Sequence, residues 1–345
     1  MLASLTGAQI SEEAIVGASF AHMNKSNDAE IQSGAGMGRV ARSLVQSAPF
    51  IGLAIVLLVM MLANPAIASV FGLDLLLMPA LSLVLVAMAQ MYVVGGSEID
   101  LGVGAFAGLV SVLSATLLFD QPIYGVAAIV VGILAYAGMG WLIQARRIPA
   151  IVVTLGASFI WAGIGYSVQP TPGGASPEWL SAAVNWSLLG LPTSVILIVL
   201  VAAIAAAINQ MPLGVVLRGF GNNAGAMVNS GWSAARFAMI RYLISGVFAA
   251  AAGMSLTAIN TASDINSGNS YTLLSVAAVV MGGCALAGGI VAPVGAVAGA
   301  VTLALIGALL GVLNVSSDFN AATQGLVLIA LLAMWSFVNR QEGEE

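Results

Sequence analysis

Apolar residues run through this chain in long, nearly unbroken stretches, and polar residues gather in short joints between them. A stretch of about 20 apolar residues is enough to cross a bilayer as a helix. On that rule the pattern predicts spans at 49–70, 73–95, 101–119, 123–144, 148–168, 190–208, 237–260, 273–289, 294–313 and 320–338, so about ten in all. The predicted fold class is all-α: a polytopic integral membrane protein with broken or re-entrant glycine-rich segments. Pro49, Pro79, Pro149 and Pro293 fall at span starts or within a first turn or two, where proline is best tolerated.

The ends of the chain read differently. Residues 1–48 are polar to mixed and predict a flexible cytoplasmic arm, and 339–345 a short cytoplasmic tail. No apolar run follows an early basic cluster, so no secretory signal peptide is predicted. The membrane part is 49–338. Its longest outer segment, 169–186 ("QPTPGGASPEWLSAAVNW"), has the prolines and glycines of a loop, with Trp179 and Trp186 suited to an interface. Its longest inner connection is 209–236.

Composition sharpens this reading. Hydrophobic residues make up 60% of the 345 and charged residues 7%, against about 25% charged in a soluble domain. There is too little polar surface to cover a water-soluble fold. One cysteine, Cys284, and one histidine, His22, exclude a disulfide framework and a metal site built from Cys and His. The net charge of −5, without basic patches, points away from a nucleic-acid partner. With the N-terminus inside, the inner segments collect Lys25, Arg39, Arg42, Arg146, Arg147, Arg218, Arg236, Arg241 and Arg340, while outer segments carry Asp74, Asp120, Glu178, Asp264 and Asp318. That is the positive-inside pattern.

Two acids stand where the chain otherwise avoids charge. "MYVVGGSEIDLGVGAFAG" (91–108) places Glu98 and Asp100 between apolar runs, with Gly95, Gly96, Gly102 and Gly104 around them. One reading is a helix cap, with Asp100 accepting a free backbone N–H. The other is a helix broken inside the membrane, where the acids pair or gate a path. The two are compatible. A second joint, "VVMGGCALAGGIVAPVG" (279–295), echoes the first: an apolar helix, then Gly282-Gly283, a break through Gly288-Gly289, and a glycine-studded helix. Both would run in the same direction, as parallel repeats, unless any two glycine-rich hairpins look this similar. Gly102, Gly104 and Gly108, and Gly295 and Gly299, have the spacing for close helix packing.

Between spans, 218–239 ("RGFGNNAGAMVNSGWSAARFAM") is too polar to cross and too apolar for a linker. It reads as a short surface helix, either plain or offered to a partner. Within the spans, Gln90, Tyr92, Thr154, Trp161, Tyr166, Thr257 and Asn260 are candidates to line a path for a neutral, hydroxyl-bearing solute, or else packing and interface residues. Little there ionises, which argues against a proton relay. Lys25 is the one lysine. It follows Asn24, with Ser19 where a phosphate-binding loop needs its first glycine, so the chain carries no Walker A motif. If ATP drives it, another subunit binds the ATP.

These pieces resemble the permease subunit of ribose-type ABC importers, the branched-chain or ribose permease family. "GGSEIDLGVG" (95–104), "RRIPAIVVTLG" (146–156) and "AAVVMGGCALAGG" (277–289) are similar to its ordered signature blocks over about 49–338. The resemblance implies two permease subunits, identical or paralogous, in the lipid of a bacterial inner membrane. It implies cytoplasmic ATPases that bind ATP and Mg, and a periplasmic binding protein that delivers a sugar. No cofactor would belong to this chain. Residues 219–233 are similar to the family's cytoplasmic coupling segment, which implies ATPase contacts at Gly221, Asn222, Asn223, Ser230 and Gly231 within about 215–235. The sequence departs from the pattern at Gly102 (usually serine), Gly225, Ala226, Trp232, Val291, and at Thr272 and Leu274, which replace two outer acids. The expectation is an importer permease for a pentose, hexose or related polyol, not itself an enzyme. The alternative is a self-sufficient secondary transporter or facilitator for a neutral solute. A membrane enzyme is not expected, since no acid–base or nucleophile cluster is present.

Overall fold

A computed structural model describes residues 37–186, 190–312 and 325–326, and every regular element named in it is helical. The chain divides into two compact units, 1–48 and 49–345, and the description that follows is of the second. The helices are α1 (Met37–Ala63), α2 (Val70–Leu77), α3 (Ala80–Val94), α4 (Val103–Ala115), α5 (Leu117–Asp120), α6 (Pro122–Arg146) and α7 (Ala150–Val168). They continue as α8 (Glu178–Val184), α9 (Thr193–Gln210), α10 (Pro212–Asn229), α11 (Ala234–Asn260), α12 (Asn269–Met281) and α13 (Pro293–Val312), with 3-10 turns at Pro65–Ala68 and Ile265–Gly268.

The centre is built from α3 and α4, in which every residue is buried. Their sequences are apolar all round, as a helix enclosed on all sides must be. Around them pack α11, which touches α3, α4 and α6, then α13 against α3 and α12, and α7 against α4. Two pairs of buried hydroxyls join neighbouring helices. Ser82 meets Ser255 at 2.8 Å, and Ser111 meets Thr257 at 2.9 Å, fastening α3 and α4 to α11. An unpaired hydroxyl in such a place is costly, so these pairs also set register. The outward faces are apolar: Val131 and Leu134 on α6, Phe159 and Ile160 on α7, and Val199 and Leu200 on α9 are all exposed. Such a surface suits lipid or a partner protein rather than water.

Among the described residues, six helical stretches are long and apolar enough to cross a membrane, one of them α4 and α5 together (Val103–Asp120), and α2 with α3 forms a further candidate bent by 46°. The structure differs from the ten expected spans at definite places. The stretch 49–70 is interrupted: α1 stops at Ala63, Asn64 caps the 3-10 turn, and α2 starts only at Val70. The stretch 273–289 is not one continuous helix. Its helix, α12, has 13 residues, roughly 20 Å at helical rise, against about 30 Å of hydrocarbon. The apolar sequence continues, but Gly282 and Gly283 stop the helix. All of the stretch 320–338 but 325–326, the tail at 339–345 and most of the expected arm lie outside the described residues. Pro49 lies inside α1, which begins at Met37, whereas Pro79 and Pro149 precede α3 and α7 and Pro293 opens α13.

Opposite the glycine joints, the expected loop at 169–186 contains the short helix α8. Its neck is pinned to the end of α11, where Gly173 and Ser263 exchange backbone hydrogen bonds of 3.0 and 2.8 Å. The 3-10 turn Ile265–Gly268 sits directly on α4. A Cβ on Gly104 or Gly108 would run into the carbonyls of Gly268 and Ile265, so this pair serves as a notch for backbone. Gly156 on α7 faces open space. The Gly108→Leu variant is therefore expected to lose about 1–3 kcal/mol through overpacking and to melt well below wild type in detergent. Gly156→Leu should melt with wild type.

Candidate functional site at two broken helices

The first joint begins where α3 ends. After Val94 the chain turns through Gly95, Gly96 and Ser97, whose φ is +65°. The Ser97 N–H reaches the Val94 carbonyl (2.9 Å) and the Glu98 N–H the Val93 carbonyl (3.3 Å). This is a Schellman closure, which satisfies carbonyls that the helix end leaves free. Residues 98–102 are irregular before α4 starts at Val103. In an apolar interior their backbone groups need partners, and side chains from several helices supply them. With its amide oxygen assigned to face the Asp100 N–H, Gln90 brackets Asp100, accepting from that N–H at 3.2 Å and donating to its carbonyl at 3.1 Å. Thr154 Oγ1 accepts the Leu101 N–H at 3.1 Å.

Asp100 is fully buried. Its Oδ1 accepts the Gly102 N–H at 2.7 Å, and its Oδ2 accepts the Tyr136 hydroxyl at 2.9 Å. The cap position itself is Gly102, which has no side chain to offer. Asp100 takes the N–H of the cap residue itself, not the first-turn donors that a serine there would take. Tyr136 is held by rings: Phe106 lies 4.6 Å from it and Trp161 5.3 Å from Phe106, centroid to centroid. Farther along α4, the Gly104 N–H is accepted by Thr272 Oγ1 at 3.2 Å, one of the positions where the sequence lacks an expected acid.

Glu98 binds sideways. Its Oε2 lies 2.8 Å from Arg241 Nη2, with the side chains 11% and 4% exposed, and its Oε1 accepts from Gln144 Nε2 at 3.0 Å. The guanidinium occupies the space that a Cβ on Gly96 would need. This corrects the place expected for Arg241. It does not belong to an inner, solvated segment; it lies buried within α11 as the counter-ion of Glu98.

The second joint closes its helix as the first does. The Gly283 N–H reaches the Val280 carbonyl (3.0 Å) and the Cys284 N–H the Val279 carbonyl (3.1 Å), with Gly283 at φ +90°. "VVGGSE" and "VVMGGC" thus close in the same way. The loop beyond folds on itself through Ala285 N–H to Ile290 O at 3.0 Å, and Cys284 Sγ accepts the Ala292 N–H at 3.1 Å. The joints touch: the Gly289 N–H donates to the Gly95 carbonyl at 3.0 Å.

The segment between α9 and α11 meets them at the same place. α10 runs to Gly221 and Asn222, kinks at Asn223 (φ −155°, ψ 87°), and continues as one exposed turn and a half. Asn223 Oδ1 accepts the Ala226 N–H at 2.9 Å and so starts the second piece. Ser230 Oγ donates to the Ala226 carbonyl at 2.9 Å. Gly231 at φ +89° ends it, with the Trp232 N–H on the Met227 carbonyl at 3.1 Å. The expected lone surface helix is therefore the tip of a longer, kinked one. Gly221 sits on Gly95 and Gly289, and Asn222 beside Gly289, too close in each case to admit another carbon.

The residues proposed for a path hold different places in this structure. Gln90 and Thr154 hold the first joint. Thr257 pairs with Ser111, and the Tyr92 hydroxyl donates to the Ala205 carbonyl at 3.1 Å. Trp161 is buried in the ring cluster. Tyr166 donates to Asn266 Oδ1 at 3.0 Å, and Asn260 is exposed, both at the end away from Glu98. Sequence reading passed over Arg241, Tyr136 and Gln144. A signal existed. An arginine in an apolar helix needs an acid, and Tyr136 and Gln144 lie on one face of α6, two turns apart.

Comparison with known proteins agrees with this architecture. The family model described as "Branched-chain amino acid transport system / permease component" matches residues 72–332. The ribose import permease protein RbsC of Haemophilus influenzae is 27% identical over 305 residues, covering 86% of this chain and 94% of that protein. The autoinducer 2 import system permease protein LsrC of Escherichia coli is 31% identical over 260 residues, covering 72% and 75%. RbsC of Bacillus subtilis is 29% identical over 293 residues, covering 82% and 91%. No solved structure matches.

The buried pair makes a direct prediction. Arg241→Ala leaves Glu98 buried without its counter-ion and should cost about 3–5 kcal/mol, lowering the melting temperature in detergent. The double variant Glu98→Leu, Arg241→Met removes both charges and should recover most of that loss.

Proposed function

Since the chain belongs to the branched-chain amino acid transport system / permease component family, we propose that it is the membrane-spanning permease subunit of an ABC importer for a monosaccharide. The substrate class, a pentose, hexose or related polyol, is supported by likeness to the ribose import permeases. The chain supplies no nucleotide site of its own in this account. ATP and Mg are bound by a partner ATPase, a binding protein presents the sugar, and a second permease completes the path in a bacterial inner membrane, with both termini cytoplasmic. The family match favours this over a self-sufficient carrier.

One observation carries the mechanism: the exposed tip of α10 rests through Gly221 on the point where both broken helices touch. A partner pressing on Ala224, Val228 and Ser230 would push on Gly95 and Gly289 together. The joints are the yielding parts, Gly95 to Gly104 and Gly282 to Gly289, with Glu98 and Asp100 holding the first of them in register. Alternating access then follows from rigid pieces that swing about few residues. Of the path candidates Gln90, Tyr92, Thr154, Trp161, Tyr166, Thr257 and Asn260, those that now bond a neighbouring segment reach the solute only when those bonds open.

The test is reconstitution in vesicles with the candidate ATPase. ATP turnover should rise when loaded binding protein is added. Val228→Arg, a change at an exposed position of the tip, should abolish that rise while melting stays as in wild type. Hydrolysis indifferent to this subunit would overturn the assignment.

A further inference from the structure

The closures at Gly283 and Gly231 put glycine at the left-handed position, with φ of +90° and +89°. The first joint puts Ser97 there, at φ +65°. A serine is strained in that conformation and a glycine is not. Something offsets the strain, and it is not the closure itself, which glycine forms equally well in the same molecule.

The hydroxyl shows what is gained. Ser97 Oγ lies 2.6 Å from the Ala287 carbonyl in the second joint and 3.2 Å from the Gly221 carbonyl in α10. Its single proton is donated mainly to the nearer oxygen and shared with the farther. Three segments far apart in sequence are thus tied by one side chain at the point where their backbones already touch. Ser97 is exposed, so water competes for both bonds, and they open and close at little cost. Its neighbour Glu98 holds Arg241, which passes any displacement of residue 97 on to α11.

We propose that the Ser97 hydroxyl is the latch that transmits movement of the α10 tip to both broken helices at once. It is a positioning residue: it touches neither solute nor nucleotide. The proposal rests on the importer reading above.

Ser97→Gly separates the two roles of the serine, because it relieves the backbone and deletes the hydroxyl. In the full reconstituted complex its melting temperature should equal or exceed wild type, with basal ATP turnover unchanged. Solute imported per ATP should fall about fivefold, as expected for losing roughly one net hydrogen bond. Ser97→Asn tolerates the left-handed position and restores a donor, so it should recover most of the coupling. Wild-type stoichiometry in Ser97→Gly would overturn the proposal. A second measurement needs no partner. In the purified chain, the Gly289 N–H should exchange with deuterium about fivefold faster in Ser97→Gly than in wild type, and equal rates would overturn the latch. Faster exchange in a chain that no ATPase responds to would instead leave the contact standing and sink the importer reading.

Discussion

A helix can be interrupted inside an apolar body only if every backbone group released by the break finds a partner there. The rest of this structure follows from meeting that requirement at residues 95–102. Gln90 from α3, Tyr136 from α6 and Thr154 from α7 each satisfy one part of the break. Because each acceptor or donor has a fixed place, the helices that carry them are fixed too. Asp100 is buried because two donors converge on it, and the ion pair of Glu98 with Arg241 adds α11 to the same frame.

Glycine complements this polar frame. At Gly104 and Gly108 it lets a turn lie on a helix, and where Gly95, Gly221 and Gly289 meet it lets three backbones touch. The polar bonds give the first joint one arrangement. The missing side chains allow the segments around it to move without colliding. A transporter needs both properties together, since a freely flexible joint would transmit no force and a fully packed one would not move.

Much of this was legible in the sequence. Two Gly-Gly joints flanked by apolar runs, one of them holding two acids, announced broken helices. The short helix at the α10 tip was visible in its amides and small residues. What escaped were the partners. Gln144 and Arg241 lie far from Glu98 along the chain, and hydropathy contains no term that joins them. Arg241 was misplaced because a basic residue near a span start satisfies the charge rule as well when buried as when solvated. The length of α12 escaped because hydropathy runs on through Gly282 and Gly283, where the backbone does not. The present partners of Thr257 and Gln90 were also not legible, because a polar residue in a span has the same signature whether it faces a solute or a neighbouring helix.

The central claim is that the joints yield when a separate ATPase closes. The chain's one cysteine, Cys284, reports on this directly, since it is 1% exposed in the second joint. Its alkylation rate should be measured in vesicles holding the complete transporter, with and without a non-hydrolysable ATP analogue, and in vesicles holding this chain alone. The account predicts a rate that changes with nucleotide in the complex and not in the lone chain. The same rate in every state would contradict it.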